Sequence, residues 1–344
     1  MPQIVIKSKN NPKARRYILR TLIDYIFKII WPLIPRSIYL GNILHINVAL
    51  TRVCNANCIF CAYQFIENEN KTSMSDEIFN LVIENIRRFS IPAVMLSPDV
   101  GEPLLAKDFM GKIKTLRKVG VRSIECTTNG IVLNHIGIDN MLEDGPDQIN
   151  ISTAGFNEDM YKRIYRSDKY NWMRDNVIEL LKANSLRKKK KIINVWLRGD
   201  VDIKELLCAP EMNVVMELAN DVCVMNEVDP WNGKIRQGML TGNLKIQTSF
   251  PKVNYRPCRQ LIEIAIHPNG DVHACSCRNM GEDPDLHLGN ITEDNIYDIY
   301  QRLNRIFYAW EKKKFPKICH RCFMYIDPAT SILGRIRQLI TELI

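Results

Sequence analysis

The sequence predicts an open α/β barrel of about six strand–helix units followed by a small α+β extension. Three observations carry this. Between residues 44 and 230, short β-rich runs alternate with stretches of helical period, the signature of a parallel sheet with right-handed crossovers. From about residue 231 the texture changes to Gly, Pro and Cys punctuation with short strands, which marks a second domain. The length of 344 residues suits about two domains, or one barrel with an appendage.

Strands are predicted at Leu44–Leu50, Ala93–Ser97, Arg122–Cys126, Gln148–Ser152, Ile192–Leu197 and Val222–Asn226. Helices are predicted at Asp76–Phe89, Lys107–Lys118, Asn134–Glu143, Asn157–Tyr165, Trp172–Ala183 and Ile203–Leu207. Six such units make a barrel that stays open, since closure takes eight. The organisation is therefore a basic amphipathic helical segment (1–43), the barrel (44–230), the extension (231–328) and a C-terminal amphipathic helix (329–344). In the first segment Arg16, Arg20, Asp24 and Lys28 recur every four positions among apolar neighbours, a helix with a narrow polar stripe that Pro32 and Pro35 end. Its charges are too frequent for a membrane span. Two readings stay open: an in-plane membrane helix with snorkelling basic residues, or a helix packed on the body of the protein. Ile332, Leu333, Ile336, Leu339, Ile340 and Leu343 form a second amphipathic stretch that could pair with it or join it at a membrane face.

Composition is that of an ordinary globular protein, with 46% hydrophobic and 25% charged residues, which excludes disordered, collagen-like and disulfide-stapled classes. Eleven cysteines without a secretory signal point to reduced thiols in the cytoplasm. The net charge of +9 is concentrated before residue 47, where eight basic residues face Asp24 alone. These basic residues lie along an apolar helix rather than interleaved on an aromatic face, and no RNA-binding motif accompanies them, so a nucleic-acid partner is not expected. Arg187–Lys191 reads as a solvated helix end.

Cys54, Cys58 and Cys61 lie in TRVCNANCIFCAY, directly after the first predicted strand. The loop at the C-terminal end of a barrel strand is where such folds build their sites. Three thiolates on one loop can converge on one soft metal centre. On a four-iron cube they leave one iron open, where a small chelating ligand can bind; zinc would want a fourth Cys or His nearby.

This CxxxCxxC spacing, with Phe60 before the last cysteine, resembles the radical S-adenosylmethionine (SAM) enzymes. The resemblance implies a 4Fe-4S cluster whose open iron binds SAM, reductive cleavage to a deoxyadenosyl radical, and abstraction of a substrate hydrogen. VGEPLL (residues 100–105) resembles the GGEP motif at the methionine end of SAM, with Val100 in place of a glycine; Gly101, Glu102 and Pro103 match, and Glu102 offers a carboxylate to an ammonium. Thr127, Thr128, Asn129 and Gly130 follow the third strand, as in many relatives. NISTAGF (residues 150–156) resembles the family's ISLDGF strand end, so Asn150 and Ser152 are expected near the cofactor, with Ser152 at the ribose; Ala154 replaces the family's Asp.

Cys258, Cys275, Cys277, Cys319 and Cys322 punctuate the second domain. Asn269 and Gly270 signal a hairpin between Cys258 and Cys275 that draws distant ligands together. HLGNITEDNIYDIY resembles the LGNI helix start of SPASM and twitch extensions, which hold auxiliary iron–sulfur clusters. Five cysteines imply one auxiliary 4Fe-4S cluster, with Cys258, Cys275, Cys319 and Cys322 the preferred ligands and Cys277 the alternative to Cys275. Zinc on the same four thiols is the competing reading. Cys126, Cys208 and Cys223 are small buried hydrophobes by default; one of them would serve as a hydrogen donor if the enzyme were an epimerase. NEVDPWNG (residues 226–233) resembles the family's barrel–extension junction, so Glu227, Asp229 and Trp231 either face substrate or pack the junction.

The compact layout resembles the family's aminocyclitol alcohol dehydrogenases more than its longer peptide maturases. The expectation is an anaerobic oxidoreductase that dehydrogenates a sugar- or cyclitol-type alcohol and draws electrons from a flavodoxin or ferredoxin. Peptide or protein modification, epimerisation, and a non-enzymatic metal-binding or membrane scaffold are the alternatives.

Overall fold

The computed structural model describes residues 4–8, 45–96, 100–248, 253, 257–258, 261, 264–275, 283–322 and 325. The chain opens on β1 (Ile4–Ser8) and then builds six parallel strands: β2 (Ile46–Val48), β3 (Ala93–Leu96), β4 (Ser123–Thr128), β5 (Gln148–Thr153), β6 (Ile192–Leu197) and β7 (Asp221–Val224). They pair in chain order, as successive right-handed units require. Helices α1 (Asp76–Phe89), α2 (Phe109–Lys118), α3 (Leu133–Ile136), α4 (Ile138–Glu143), α5 (Glu158–Tyr165), α6 (Tyr170–Ser185), α7 (Ile203–Leu206) and α8 (Glu211–Leu218) occupy the crossovers. This is the expected partial (β/α)6 barrel.

Local chemistry starts and stops the helices. Ser75 Oγ accepts from Ile78 N at 3.2 Å to cap α1, whose first turn holds Asp76 and Glu77 and whose last holds Arg87 and Arg88, complementing the helix dipole. Asn157 caps α5 through Met160 N at 2.8 Å. The single helix expected over 134–143 is divided into α3 and α4 because Gly137 stands at φ +90° between them. α8 was not anticipated: its short apolar run, MNVVMEL, is ambiguous between strand and helix in sequence.

Alternation along the strands separates two faces. Val94, Leu96, Ile124, Cys126, Ile149, Ile151, Ile193 and Val195 are buried in the apolar core. The opposite register carries Asn47, Met95, Glu125, Thr127, Asn150, Ser152, Asn194, Trp196 and Cys223, aligned strand to strand. That second face lines the inside of the barrel and is mostly polar.

The start of the chain corrects the sequence reading. Residues 4–8, assigned to a helical segment over 1–43, form a strand that pairs antiparallel with β7 and covers that edge of the barrel. Ile4, Val5 and Ile6, all β-branched, favour a strand, and the Lys7 ammonium reaches the carbonyls of Met216 and Glu217 at the end of α8. Lys13–Trp31 and the C-terminal stretch 329–344 lie outside the described residues. Among the described residues no helix is long and apolar enough to cross a membrane.

The extension does not stand apart from the barrel. β8 (Glu227–Val228) pairs with β9 (Lys245–Ile246) at the junction. β10 (Ala265–Ile266) then pairs parallel with β2, and β11 (Asp271–His273) and β12 (His287–Asn290) continue the same ten-stranded sheet. α9 (Ile296–Glu311) closes the extension, capped by Asn295, whose side chain accepts from Tyr297 N at 2.8 Å. Ile299, Leu303, Phe307 and Trp310 recur at helical spacing and are buried. Each contributes about 1.5–3 kcal/mol, and this stripe fixes α9 on the sheet.

Candidate functional site

Cys54, Cys58 and Cys61 stand on the loop that leaves β2, and their backbone is held from several sides. Tyr63 Oη accepts from Cys54 N and donates to Cys54 O, both at 3.3 Å. Gln64 Nε2 donates to the carbonyls of Ile59 at 3.2 Å and Cys61 at 3.0 Å. Asn57 N and Ile59 N donate to the carbonyls of Tyr165 and Ile164 at the end of α5, and Trp231 Nε1 donates to Phe60 O at 3.0 Å. A loop pinned in this way presents its thiols in a fixed arrangement. Burial pushes the Cys54 thiol up to about 12, reinforced by the Glu102 carboxylate and by Cys61. Burial also raises Cys58 well above the ordinary thiol range, and Cys61 and Cys54 raise it further. Cys54 and Cys58, half-buried beside Cys61, would need a cationic centre to stabilise their thiolates, which is what an iron–sulfur cluster supplies. The donor set fits that group.

Gly101 and Glu102 bring a second loop against the first. A Cβ on Gly101, at φ +108°, would stand 2.3 Å from Thr51 O, so only glycine allows this approach, and Glu102 N donates to Val53 O at 2.8 Å. The Glu102 carboxylate faces the turn after β4. It is buried, accepting from Thr128 Oγ1 at 2.7 Å, Asn129 N at 2.8 Å and Leu104 N at 3.3 Å. Burial lifts it to about 7, with the Asn129, Thr128 and Leu104 hydrogen bonds pulling the other way. Glu102 thus fixes the end of β4. Asn129 Nδ2 in turn donates to Asn55 Oδ1 at 2.7 Å and lies 3.9 Å from Cys54 Sγ, while Pro103 is buried beneath.

Ser152 sits at the end of β5, its Oγ 2.9 Å from Tyr165 Oη and accepting from Arg198 Nη1 at 2.5 Å. The Arg198 guanidinium lies over the Phe60 ring at 4.9 Å, and Tyr165 meets the same ring edge-on. Arg198 and Tyr165 were not identified from sequence. The available signal for Arg198 was its place immediately after β6, at the C-terminal end where barrel sites gather. Asn150 lies deeper than expected. Its amide donates to Glu125 Oε1 at 2.6 Å and accepts from Asn194 Nδ2 at 2.9 Å, forming part of the barrel's polar interior.

Three unassigned thiols separate clearly. Cys126 faces the helices in the apolar core, and Cys208 is exposed with its Sγ 3.1 Å from Lys204 O, so neither lines the barrel. Cys223 is on the inner face, in register with Trp196. At the junction Asp229 Oδ1 accepts from Trp231 N at 2.6 Å, and Trp231 supports the cysteine loop; Glu227 lies in the β8–β9 pair. Trp231 thus joins the junction to the cysteine loop.

In the extension, Cys258 and Cys319 are buried and Cys275 and Cys322 half-buried. Burial raises the Cys319 thiol, and after burial the causes are Cys275, Cys322 and Cys258, so the four thiols converge. This set fits a four-ligand iron–sulfur centre. Cys277 lies outside the described residues. All ten described cysteines are free thiols.

Two stretches of the chain match established families. Residues 48–207 match the radical SAM superfamily, and residues 258–323 match the SPASM iron–sulfur cluster-binding domain. The chain belongs to the radical SAM enzymes and carries a C-terminal SPASM domain; its cofactors are SAM, a SAM-binding 4Fe-4S cluster and an auxiliary 4Fe-4S cluster.

Curated relatives include a probable GTP 3',8-cyclase of Sulfurisphaera tokodaii, 30% identical over 142 residues, covering 41% of this chain and 44% of that protein. A second, from Saccharolobus solfataricus, is 33% identical over 138 residues, covering 40% and 42%. The chain thus spans less than half the length of these relatives. Among solved structures, BtrN in complex with AdoMet and 2-DOIA has a TM-score of 0.51 at 16% identity, covering 83% of this chain and 97% of BtrN. SuiB of Streptococcus suis bound to the precursor peptide SuiA has a TM-score of 0.54 at 12% identity, covering 91% and 74%. Native anSMEcpe with bound AdoMet has a TM-score of 0.53 at 14% identity, covering 81% and 88%. At these identities the likeness is one of fold.

Proposed function

We propose that this radical SAM enzyme is an oxidoreductase that dehydrogenates an alcohol of a sugar- or cyclitol-type substrate. The observation that carries this reading is the convergence of Cys258, Cys275 and Cys322 on the buried Cys319. Four thiols satisfy every iron of a cube and leave no position for substrate, which suits an electron relay. Cys54, Cys58 and Cys61 hold the SAM-binding cluster in this reading, with a flavodoxin or ferredoxin as the reductant. Held there, SAM and the clusters would supply the one-electron chemistry that removes a hydrogen atom, a proton and an electron from the alcohol, the balance its oxidation to a carbonyl requires.

The chain's own residues bind, orient and exclude water. Glu102 holds Thr128 and Asn129 at the barrel mouth beside Cys54. Ser152, aimed by Tyr165 and Arg198, is the hydroxyl for the SAM ribose. Phe60, gripped between Arg198 and Tyr165, seals the cysteine loop against that side of the barrel. Deeper in, Asn47, Glu125, Thr127, Asn150 and Asn194 give the interior hydrogen-bonding groups suited to a polyhydroxylated molecule.

The test is anaerobic incubation of reconstituted enzyme with SAM, dithionite and a panel of sugars, aminocyclitols and GTP, read by mass spectrometry. Deoxyadenosine formed in step with loss of a hydrogen pair from an alcohol is the expected result. Deoxyadenosine formed in step with a rearranged GTP product would overturn it. Peptide modification has one observation in its favour, the fold shared with peptide-bound SuiB; cross-linking or oxidation of a precursor peptide encoded beside this protein would establish that reading instead. Epimerisation would require Cys223, the one described spare thiol on the barrel's inner face.

A further inference from the structure

A second set of metal-type ligands lies beyond the cysteines, on the outer strands of the sheet. His273 on β11 is directly opposite His287 on β12, and Asp271, two residues before His273, shares its face. One ligand atom from each of Asp271, His273 and His287 falls within 4.8 Å of the others. The carboxylate is oriented in advance: Asp271 Oδ2 accepts from Asn269 Nδ2 at 2.6 Å and Oδ1 from Asn290 Nδ2 at 3.0 Å. Asn290 is itself fixed, donating to Asn269 O at 3.0 Å and accepting from Thr292 Oγ1 at 2.7 Å. Supporting hydrogen bonds of this kind are what hold a ligating carboxylate in place.

Geometry and access both suit a metal ion. Two bonds of about 2.1 Å at a tetrahedral angle separate their donor atoms by about 3.4 Å. Asp271 Oδ1 and His287 Nε2 are 3.6 Å apart, and a small rotation of the half-exposed His287 side chain brings the set together. The outward side opens on a hollow lined by Asp271, His287, Asn290, Glu293, Asp294 and Arg302, leaving room for a water as fourth ligand. On the inward side His267 packs edge-on against His273 at 4.9 Å, and its Nδ1 accepts from Arg52 Nη2 at 3.0 Å. Two imidazoles and one carboxylate are a donor set for borderline divalent ions such as zinc rather than for an iron–sulfur cluster.

We propose that Asp271, His273 and His287 bind a divalent transition ion of the zinc type, in a site separate from both cysteine sets. The site bridges β11 and β12, two residues before Cys275. The site does not depend on which substrate the enzyme oxidises.

The experiment uses enzyme with both clusters reconstituted, passed over chelating resin, then given zinc sulfate anaerobically and desalted. Zinc and iron per chain are counted by mass spectrometry, and zinc X-ray absorption reports the ligands. One retained zinc per chain with nitrogen and oxygen ligands and unchanged iron is expected, lost or weakened at least tenfold in His287→Ala and in Asp271→Asn. His287 is half-exposed, so its replacement leaves the fold intact, and an unchanged iron count in each variant verifies this. No retained zinc in the wild type, zinc unaffected by both replacements, or sulfur in its coordination shell would overturn the proposal.

Discussion

Three thiols of the barrel come from one loop, whereas the four of the extension are gathered from Cys258 to Cys322 by a hairpin, a helix and a closing turn. In the first set sequence spacing does most of the work. Tyr63 and Gln64, only a few residues away, lock the loop's backbone, and distant parts add single hydrogen bonds. The second set has no such local frame. Its convergence depends on β10 pairing with β2 and on α9 seating Trp310 and Phe307 in the core. A locally framed centre should therefore survive loss of the other, while the assembled centre should fail whenever its surroundings loosen.

The sharpest break of that comparison is replacement of Cys54, Cys58 and Cys61 together by Ala. Iron should fall from about eight to about four per chain, with deoxyadenosine formation abolished and the auxiliary signal retained in low-temperature electron paramagnetic resonance. Next, Cys319→Ala should remove the auxiliary cluster and cut substrate oxidation at least a hundredfold, while uncoupled deoxyadenosine formation continues in the same assay. Trp310→Ala should cost about 3–5 kcal/mol as a fully buried aromatic and lower the iron content of the extension first. Anaerobic thermal unfolding with iron counting separates the two effects.

A smaller and more selective effect is expected at Glu102. Gln in its place cannot accept from both Asn129 N and Thr128, leaving a buried donor unpaired at a cost of about 1–3 kcal/mol, and the Michaelis constant for SAM should rise. The deficit depends on pH. With the carboxyl lifted from 4.5 to about 7 by burial, folding takes up a proton across that window, so the wild type loses stability as pH rises through it. Glu102→Gln should thus be most damaging near the lower end and least above about 7, as urea titrations at several pH values will show.

Much of this arrangement was legible in the sequence. Short strands alternating with amphipathic helices defined the barrel, and the cysteine spacings located both thiol sets. What escaped depended on contacts between segments far apart in the chain. Nothing local in IVIKS announces pairing with residues 221–224, and two-residue β10 carries no periodicity from which a parallel partner could be chosen. Glu102 is a related case: its motif indicates proximity to the cofactor, and only the turn after β4 shows that the carboxylate also accepts from Thr128 and Asn129. Cys126 and Cys223 are indistinguishable by residue type, and only strand register places one among the helices and the other inside the barrel.

An open barrel has two rims, and both are sealed by strands from outside it: β1 lies along β7, and β10 lies along β2. The second seal is made by residues that leave the ribosome more than two hundred positions after the strand they cover. Until then β2 presents bare backbone amides and carbonyls to any passing chain, the usual route to misassembly. The SPASM domain therefore doubles as a shield for the nascent barrel, and a polypeptide stopped just short of residue 264 should clump even with its first thiol set intact.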